Sequence, residues 1–427
     1  MSIVLDGSNG ITTNSGTVVS TTDATLNGLT VGKGGGSVST NTAVGASALN
    51  ATNTGGLSTC VGYNAGSALT SGDSNNFFGA YAGRVTTTGL GNVGIGTSVL
   101  YDNVSGNYNI AVGQQALRYN TASNNTAVGY QTLYTNTTTT NLTAVGYQSL
   151  YANSSGSDVV AVGYRSMYNN TTGFESVAVG NETLLSNTTG NRNTALGNNC
   201  LRANGSGSDN CAVGWYALRP TTGNYNTAVG SAAGTNITSG SGSTIIGYGA
   251  GSSLTTGIYS VYIGTSTSAS SGGASYEVVI GGGAGGSTGK GNTTGFINPN
   301  GGGVYQGNNS SSWSTTSDQR LKKNIVDNTD GLDKITAVRV RNFEYRLPEE
   351  VEELDSTCAV PNTGVQLGVI AQELQAVLPD CVKEESTGVL SVDPDNLTWY
   401  MVNAIKELKA LVDAQATEIA ELKAKVA

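Results

Sequence analysis

Asn125-Thr126-Ala127-Val128-Gly129-Tyr130 is followed, seventeen residues on, by Leu142-Thr143-Ala144-Val145-Gly146-Tyr147 and then by Val159-Val160-Ala161-Val162-Gly163-Tyr164. The glycine of this phrase recurs fifteen times between Gly45 and Gly281, with twelve of the fourteen intervals at 17 residues and two at 16. A fixed period of this length marks a solenoid or stacked array and not a globular domain. Each unit is too short to enclose a core, so units bury apolar surface only against their neighbours.

Within the unit, the residue before the glycine is always apolar, from Val44 and Val61 to Ile263 and Ile280. Three before the glycine, thirteen of fifteen positions hold Thr, Val or Ile. Two before it stands a small residue in most copies, such as Ala111, Ala144 and Ala161. Side chains alternate faces along a strand. The always-apolar position is therefore expected to point inward, and the Ala position to meet a second close surface, such as a neighbouring subunit. Four after the glycine, Leu49, Leu100, Leu117 and their counterparts supply a second inward anchor. The glycine turns the corner between the two segments. Asn170-Thr171-Thr172-Gly173 and Asn187-Thr188-Thr189-Gly190 then read as turns. Tyr63, Tyr130, Tyr147, Tyr164 and Trp215 directly follow the glycine, and Tyr134, Tyr151 and Tyr168 come slightly later. Such rows suit packing between subunits or contact with glycans.

Sixty-one glycines and only 11% charged residues fit a mainly β, extended body. The chain has no histidine, the commonest general base and transition-metal ligand, and neither a metal site nor a cofactor is expected. The net charge of −9 is uneven: residues 39–281 hold seven acids and six bases, whereas residues 317–427 hold twenty and twelve. That balance argues against nucleic-acid binding. MSIVLDGSNG lacks the basic start and apolar run of a secretory leader, and no stretch of about 18 apolar residues predicts a membrane span. Cys60, Cys200, Cys211, Cys358 and Cys381 show no CxxC pair and read as small buried filler. Reduced thiols imply assembly in a reducing cytoplasm.

Residues 1–38 lack the repeat and read as an N-terminal attachment segment of short strands, including Gly16-Thr17-Val18-Val19-Ser20 and Leu26-Asn27-Gly28-Leu29-Thr30-Val31. Residues 282–316 read as a Gly, Ser and Asn-rich connector with Phe296, Val304, Tyr305 and Trp313. From Ser317 the charge density rises, and helical periodicity appears across residues 369–378. In residues 397–427, Ile405, Leu408, Val412, Gln415, Ile419, Leu422 and Val426 alternate by three and four. That is a heptad seam, expected to trimerise as a coiled coil. The other reading is an amphipathic helix folded onto its own domain.

Ser317-Asp318-Gln319-Arg320-Leu321-Lys322-Lys323-Asn324-Ile325 opens this last part. On spacing alone, a serine five residues before a lysine is a weak signal, because Ser–Lys dyads depend on geometry.

The repeat forms NTAVG, SVAVG and SVYIG resemble those of trimeric adhesin heads and bacteriophage tail fibres over residues 39–281. The resemblance implies a parallel β-roll or β-solenoid of about fifteen repeats, with three chains side by side; a triple β-helix is the structural alternative. SDQRLKKNI, Gly331-Leu332-Asp333-Lys334-Ile335, Gly368-Val369-Ile370-Ala371-Gln372-Glu373-Leu374 and Ala404-Ile405-Lys406-Glu407-Leu408, in that order, resemble the peptidase S74 domain. In that family the domain is a C-terminal intramolecular chaperone of phage tailspikes and tail fibres, which trimerises, drives assembly of the β body and cuts itself off. Carried over, the domain covers residues 317–427 as a small α+β unit, and the cut falls between Ser317 and Asp318. Ser317 is then the nucleophile and Lys322 its base. A lysine base must be uncharged, through burial or a nearby cation, and Arg320, Lys323 and Asn324 are the candidate supporting residues.

The function these resemblances imply is a homotrimeric viral tail fibre or tip protein, assembled in the host cytoplasm. It would meet other virion tail or baseplate proteins through its N-terminus and a host-surface glycan or protein receptor elsewhere. A bacterial trimeric adhesin is the runner-up. A glycan-degrading tailspike is the third reading, and it needs two carboxylates flanking the scissile bond.

Overall fold

The computed structural model describes residues 23–26, 29–282, 286–298, 304–307, 314–315, 317–353, 363–384 and 388–426. The expected strand at residues 16–20, Trp313 and Cys358 lie outside the described residues. The chain divides into two compact units, Met1–Thr316 and Ser317–Ala427.

The first unit is a parallel β-solenoid. Each coil contributes one short strand, from Thr42–Val44 through Val278–Gly281. Each strand pairs in parallel with the same positions one period later, as in Thr126↔Thr143, Ala127↔Ala144 and Val128↔Val145. Both ends of the sheet turn antiparallel. Ala24–Leu26 pairs with Leu29–Gly32, which pairs with Thr42–Val44. At the far end Thr294–Asn298 continues the parallel ladder, and Val304–Gly307 and Ser314–Thr315 follow it antiparallel. The stretch expected as a connector thus carries strands of the same sheet.

The facing of the strand reverses the expectation. The middle residue (Ala111, Ala127, Ala144, Ala161) is fully buried inside the coil, together with Leu117, Leu133 and Leu150 of the second anchor. The always-apolar residue before the glycine is half-exposed instead, reaching 40% at Phe78 and 44% at Ile95. The cause is geometric. In a three-residue strand the two flanking residues share one face and the middle one takes the other. The interior is narrow enough to select Ala. Where the middle residue is bulky, the second anchor shrinks: Phe77 is flanked by Gly66 and Gly83, and Ile245 by Gly234 and Gly251. A methyl group on Gly83 would sit 2.4 Å from the Phe77 ring. Volume is conserved across the coil, as close packing requires.

The corner glycines are fixed by close approach. Gly180 adopts φ +139, and a Cβ there would lie 2.3 Å from the carbonyl oxygen of Gly197. Many of the polar groups inside the coil are paired in asparagine ladders. Asn170 Nδ2 donates to Asn153 Oδ1 at 2.8 Å and to Gly173 O at 2.9 Å, and Asn187 repeats the pattern one coil on. A second ladder runs through Asn75, Asn92 and Asn109. The 16-residue coils lose their residue in the turn and not in the strand: Asn120 Nδ2 bonds Ala122 O two residues on, where Asn153 bonds Gly156 O three on. Strand register is untouched, Ile110 pairing with Thr126.

Cys60, Cys200 and Cys381 are buried free thiols and Cys211 is partly buried, as filler should be. Burial pushes the Cys60 and Cys200 thiols up to about 12.

The second unit holds α1 (Leu332–Ala337), α2 (Ala371–Gln375) and α3 (Pro394–Val426), with two small antiparallel ladders. Arg341–Phe343 pairs with Gln366–Gly368, and Val382–Glu384 with Leu390–Val392. Leu374, Leu378, Cys381, Val382 and Tyr400 form its core. The periodicity at residues 369–378 produces only a five-residue helix: it ends at Gln375, and after three residues Pro379 opens a 3-10 turn. Leu332 N–H donates to Glu407 Oε2 at 2.7 Å, and Tyr400 Oη donates to Asp380 Oδ2 at 2.8 Å. Arg341 grips Glu373 through Nε at 3.1 Å and Nη2 at 2.7 Å, which holds the Glu373 carboxyl below the usual carboxylate range.

Two outcomes follow for stability. Gly180→Ala lowers the thermal midpoint, by an equivalent of at least about 1–3 kcal/mol for the forbidden backbone region and the blocked approach. Gly205→Ala, whose added methyl meets nothing within 4 Å, leaves the midpoint unchanged. Glu373 has a depressed folded-state pKa, so its contribution is present above its unfolded value of about 4.3 and is lost as pH falls through the folded value. Melting curves of wild type and Arg341→Gln therefore differ at neutral pH and converge on acidification; a gap that persists in acid refutes the ion-pair account.

Candidate functional site

Ser317 opens the second unit, and Asp318 caps the 3-10 turn Gln319–Leu321. The Asp318 carboxylate accepts the Arg320 backbone N–H at 2.8 Å. The Arg320 guanidinium returns onto the same carboxylate, with Nη2–Oδ2 at 2.6 Å and Nε–Oδ1 at 3.1 Å. Together, the guanidinium foremost, they hold the Asp318 carboxyl below its usual range. Two bonds close the turn, Leu321 N to Asp318 O at 3.0 Å and Lys322 N to Gln319 O at 3.1 Å. Lys322 leaves it in an extended conformation, and its Nζ comes back to donate to Ser317 Oγ at 2.7 Å.

One turn thus brings the serine and the lysine together within a single chain. The spacing of five could not decide this; the cap at Asp318 does. The supporting residues fall differently from expectation. Arg320 serves Asp318 and not Lys322, and among the described residues neither Lys323 nor Asn324 hydrogen-bonds the pair. Asn324 instead bends the chain away with φ +55. The segment lies at the surface, so water reaches it. A nucleophile and a base within hydrogen-bond reach can activate either the hydroxyl or a water held beside it. Ser317 Oγ cannot attack its own carbonyl without closing a four-membered ring.

The seam residues stand along α3. Ile405 is 67% exposed and Val412 51%, and Leu408, Ile419, Leu422 and Val426 are likewise open to solvent. Only Tyr400 and Ala404 of α3 are buried. The helix stays tied to its own unit as far as Glu407, which accepts the Leu332 N–H, and every residue from Leu408 to Val426 is exposed. Trp399 and Leu411 add exposed apolar surface off the heptad spacing, which is why seam counting missed them. A further apolar row, missed because it was expected inside, is the strand flank Phe78, Ile95, Val179, Leu196 and Ile246 on the solenoid.

Of the carboxylates that a glycan-cleaving reading requires, Glu277 is sealed inside the coil, accepting from Tyr262 Oη at 2.9 Å and Gly291 N at 2.8 Å. Asp209 is held by Arg192 at 2.6 Å and Glu182 by Arg202 at 2.9 Å. Among the described residues no helix is long and apolar enough to cross a membrane.

Residues 317–383, the stretch that starts at the Ser317–Lys322 pair, match the Peptidase S74 family, the chaperone of endosialidase; behind a solenoid of about fifteen coils, this match makes the chain similar to a tail fibre or tailspike carrying a C-terminal chaperone domain.

Proposed function

We propose that the protein is a homotrimeric viral tail fibre or tip protein that adheres to a host surface and is folded by its own C-terminal domain. The observation that carries this reading is that a single chain leaves two long apolar surfaces uncovered. One is the strand-flank row of the solenoid; the other is the seam of α3. Isolated helices of this kind are marginal in water, and most helical stability comes from packing an apolar face. A β-face lined by Val, Ile and Leu likewise asks for cover. Three copies side by side would cover both. The N-terminus would then meet other tail or baseplate proteins of the virion.

The chaperone segment would leave by self-cleavage between Ser317 and Asp318. In its uncharged form, Lys322 would take a proton from a water molecule, or from the Ser317 hydroxyl of another copy. The oxygen so activated adds to the Ser317 carbonyl carbon. The bond to Asp318 N breaks, and Lys322 returns the proton to that nitrogen as it leaves. Water completes the balance, giving a Ser317 carboxylate and a free Asp318 amine. Loss of the folding domain would leave a body that unfolds slowly and does not refold, which is kinetic stability.

Intact-mass measurement of wild type beside Ser317→Ala and Lys322→Met tests the cut. Wild type yields fragments 1–317 and 318–427, and each variant yields one full-length species. An uncut wild type removes the protease claim and leaves the chaperone claim standing. Sedimentation of Ile405→Asp/Leu408→Asp beside Ser317→Ala tests assembly. The seam variant fails to trimerise while Ser317→Ala remains a trimer; a well-folded monomer of Ser317→Ala would end the trimer reading.

A further inference from the structure

The solenoid is acidic to neutral, yet its cations are not scattered. Residues 39–281 contain six arginines and no lysine. Arg84, Arg118, Arg202 and Arg219 occupy one position, five after the marker glycine, and Arg165 occupies a second, two after it. The two positions adjoin on the surface, since the Arg165 guanidinium lies 4.3 Å from the ring centre of Tyr168, a member of the first row. Five of the six cations of the array thus share one ridge, and Arg192 alone stands elsewhere.

Tyrosines hold these guanidiniums flat. Arg118 lies over Tyr101 at 4.7 Å and Tyr119 at 5.3 Å, and Arg84 over Tyr101 at 5.2 Å and Tyr81 at 5.6 Å. Stacking fixes the plane of a guanidinium; Arg84 gives one Nη1 hydrogen to the Tyr101 hydroxyl and the Arg118 Nε is buried, so the remaining N–H groups are the ones left for a carboxylate. Among the described residues neither Arg84 nor Arg118 forms an ion pair, whereas Arg165 and Arg202 both meet Glu182 and Arg192 meets Asp209. Along the ridge Tyr134, Tyr151 and Tyr168 stack at 5.1 and 5.0 Å, and Gln115, Gln131 and Gln148 form an amide ladder at 2.9 Å. These rings cover one another's faces, so the ridge offers few free faces on which bases could stack.

We infer that this ridge binds an extended anionic polysaccharide, lying along the coil stack, with a carboxylate on alternate sugars. Arg84 and Arg118 are two coils apart, about 10 Å at one strand spacing per coil, and two pyranose units of an extended chain cover about the same distance. The tyrosine and glutamine rows supply hydrogen-bonding groups at the intervening levels. The inference rests on the adhesion reading and names its ligand class. A contact between copies fits the ridge poorly: packing it about a symmetry axis would bring like charges together, which costs several kcal/mol. The apolar strand flank, on the other side of the corner glycine, is the face left for that role.

The test uses full-length Ser317→Ala protein with long oligosaccharides of hyaluronan, chondroitin and heparosan, each carrying a uronate on alternate sugars, and with neutral dextran. Calorimetry should show binding of at least one acidic polymer and none of dextran. Arg84→Gln/Arg118→Gln should weaken it by more than about tenfold, since each arginine loses a charge-assisted bond, while Arg192→Gln changes it by less than about twofold. Absence of binding to all three polymers overturns the inference. Equal loss in Arg192→Gln does so too, as does a double variant that no longer sediments as the parent does, which would make the ridge a contact between copies. Labelled protein applied to a panel of bacterial cells separates the two readings: cell binding that survives Arg84→Gln/Arg118→Gln refutes the ridge and keeps adhesion, and absence of cell binding by the parent refutes adhesion itself.

Discussion

The whole solenoid depends on how closely one corner glycine approaches the next. The backbone carbonyl of each marker glycine lies where the preceding one would carry a Cβ, at 2.2 Å for Gly163 and 2.3 Å for Gly180. That contact sets the rise of the coil at one strand spacing and forbids any side chain at the corner. Once the corner is fixed, every coil follows one path and each position keeps one neighbour, its own counterpart a period away. The asparagine ladders, the tyrosine stacks and the strand register are all consequences of that constraint. So is the left-handed backbone of Leu117, Leu133 and Leu150, at φ +50 to +52. A leucine holds this conformation only where burial over-determines it.

The period, the solenoid and the second apolar anchor were legible because they depend on spacing alone. The direction of the strand was not, because apolarity was equated with burial. The row before the glycine is apolar without being interior. The sequence did carry the correcting signal. Gly66 and Gly83 occur where Phe77 replaces the usual Ala, and Gly234 and Gly251 where Ile245 does. Two positions that trade volume must share a cavity, so the Ala row is the inward one. The buried asparagines were read as turn residues, which they also are. Nothing in composition distinguishes a turn amide facing water from one stacked on its counterpart in the next coil.

The Ser317–Lys322 pair shows the opposite balance. Resemblance named the residues, and the structure adds only that they meet: a capped 3-10 turn shortens a five-residue separation to a hydrogen bond. Arg320 was expected to act on the lysine through its charge, but Asp318, two residues away, offers it a bidentate partner and wins. Sequence distance favours such local capture, and proximity in the chain says little about which of two neighbours a flexible cation will choose.

A repeat this regular creates a folding problem that its stability does not solve. Each coil offers the next the same edge, so a chain displaced by one coil loses one interface and keeps the others. Within one chain, connectivity prevents the slip, because neighbouring coils are consecutive. Between chains nothing in the solenoid prevents it. The flank row repeats Val, Ile or Leu at every level but that of Phe78, with little to mark one from another, and weakly specified registers are prone to slide. In the proposed trimer, register between copies would have to come from outside the repeat. A chaperone unit with its own core and a heptad row exposed from Leu408 onward would be suited to that task in such a trimer, since pairing of α3 seams, with the polar Gln415 among them, would fix one alignment before the coils zip. The same logic would make such a unit dispensable after the proposed cut: once all coils of the three copies were stacked, sliding would require breaking every interface at once, and the barrier would grow with the number of coils.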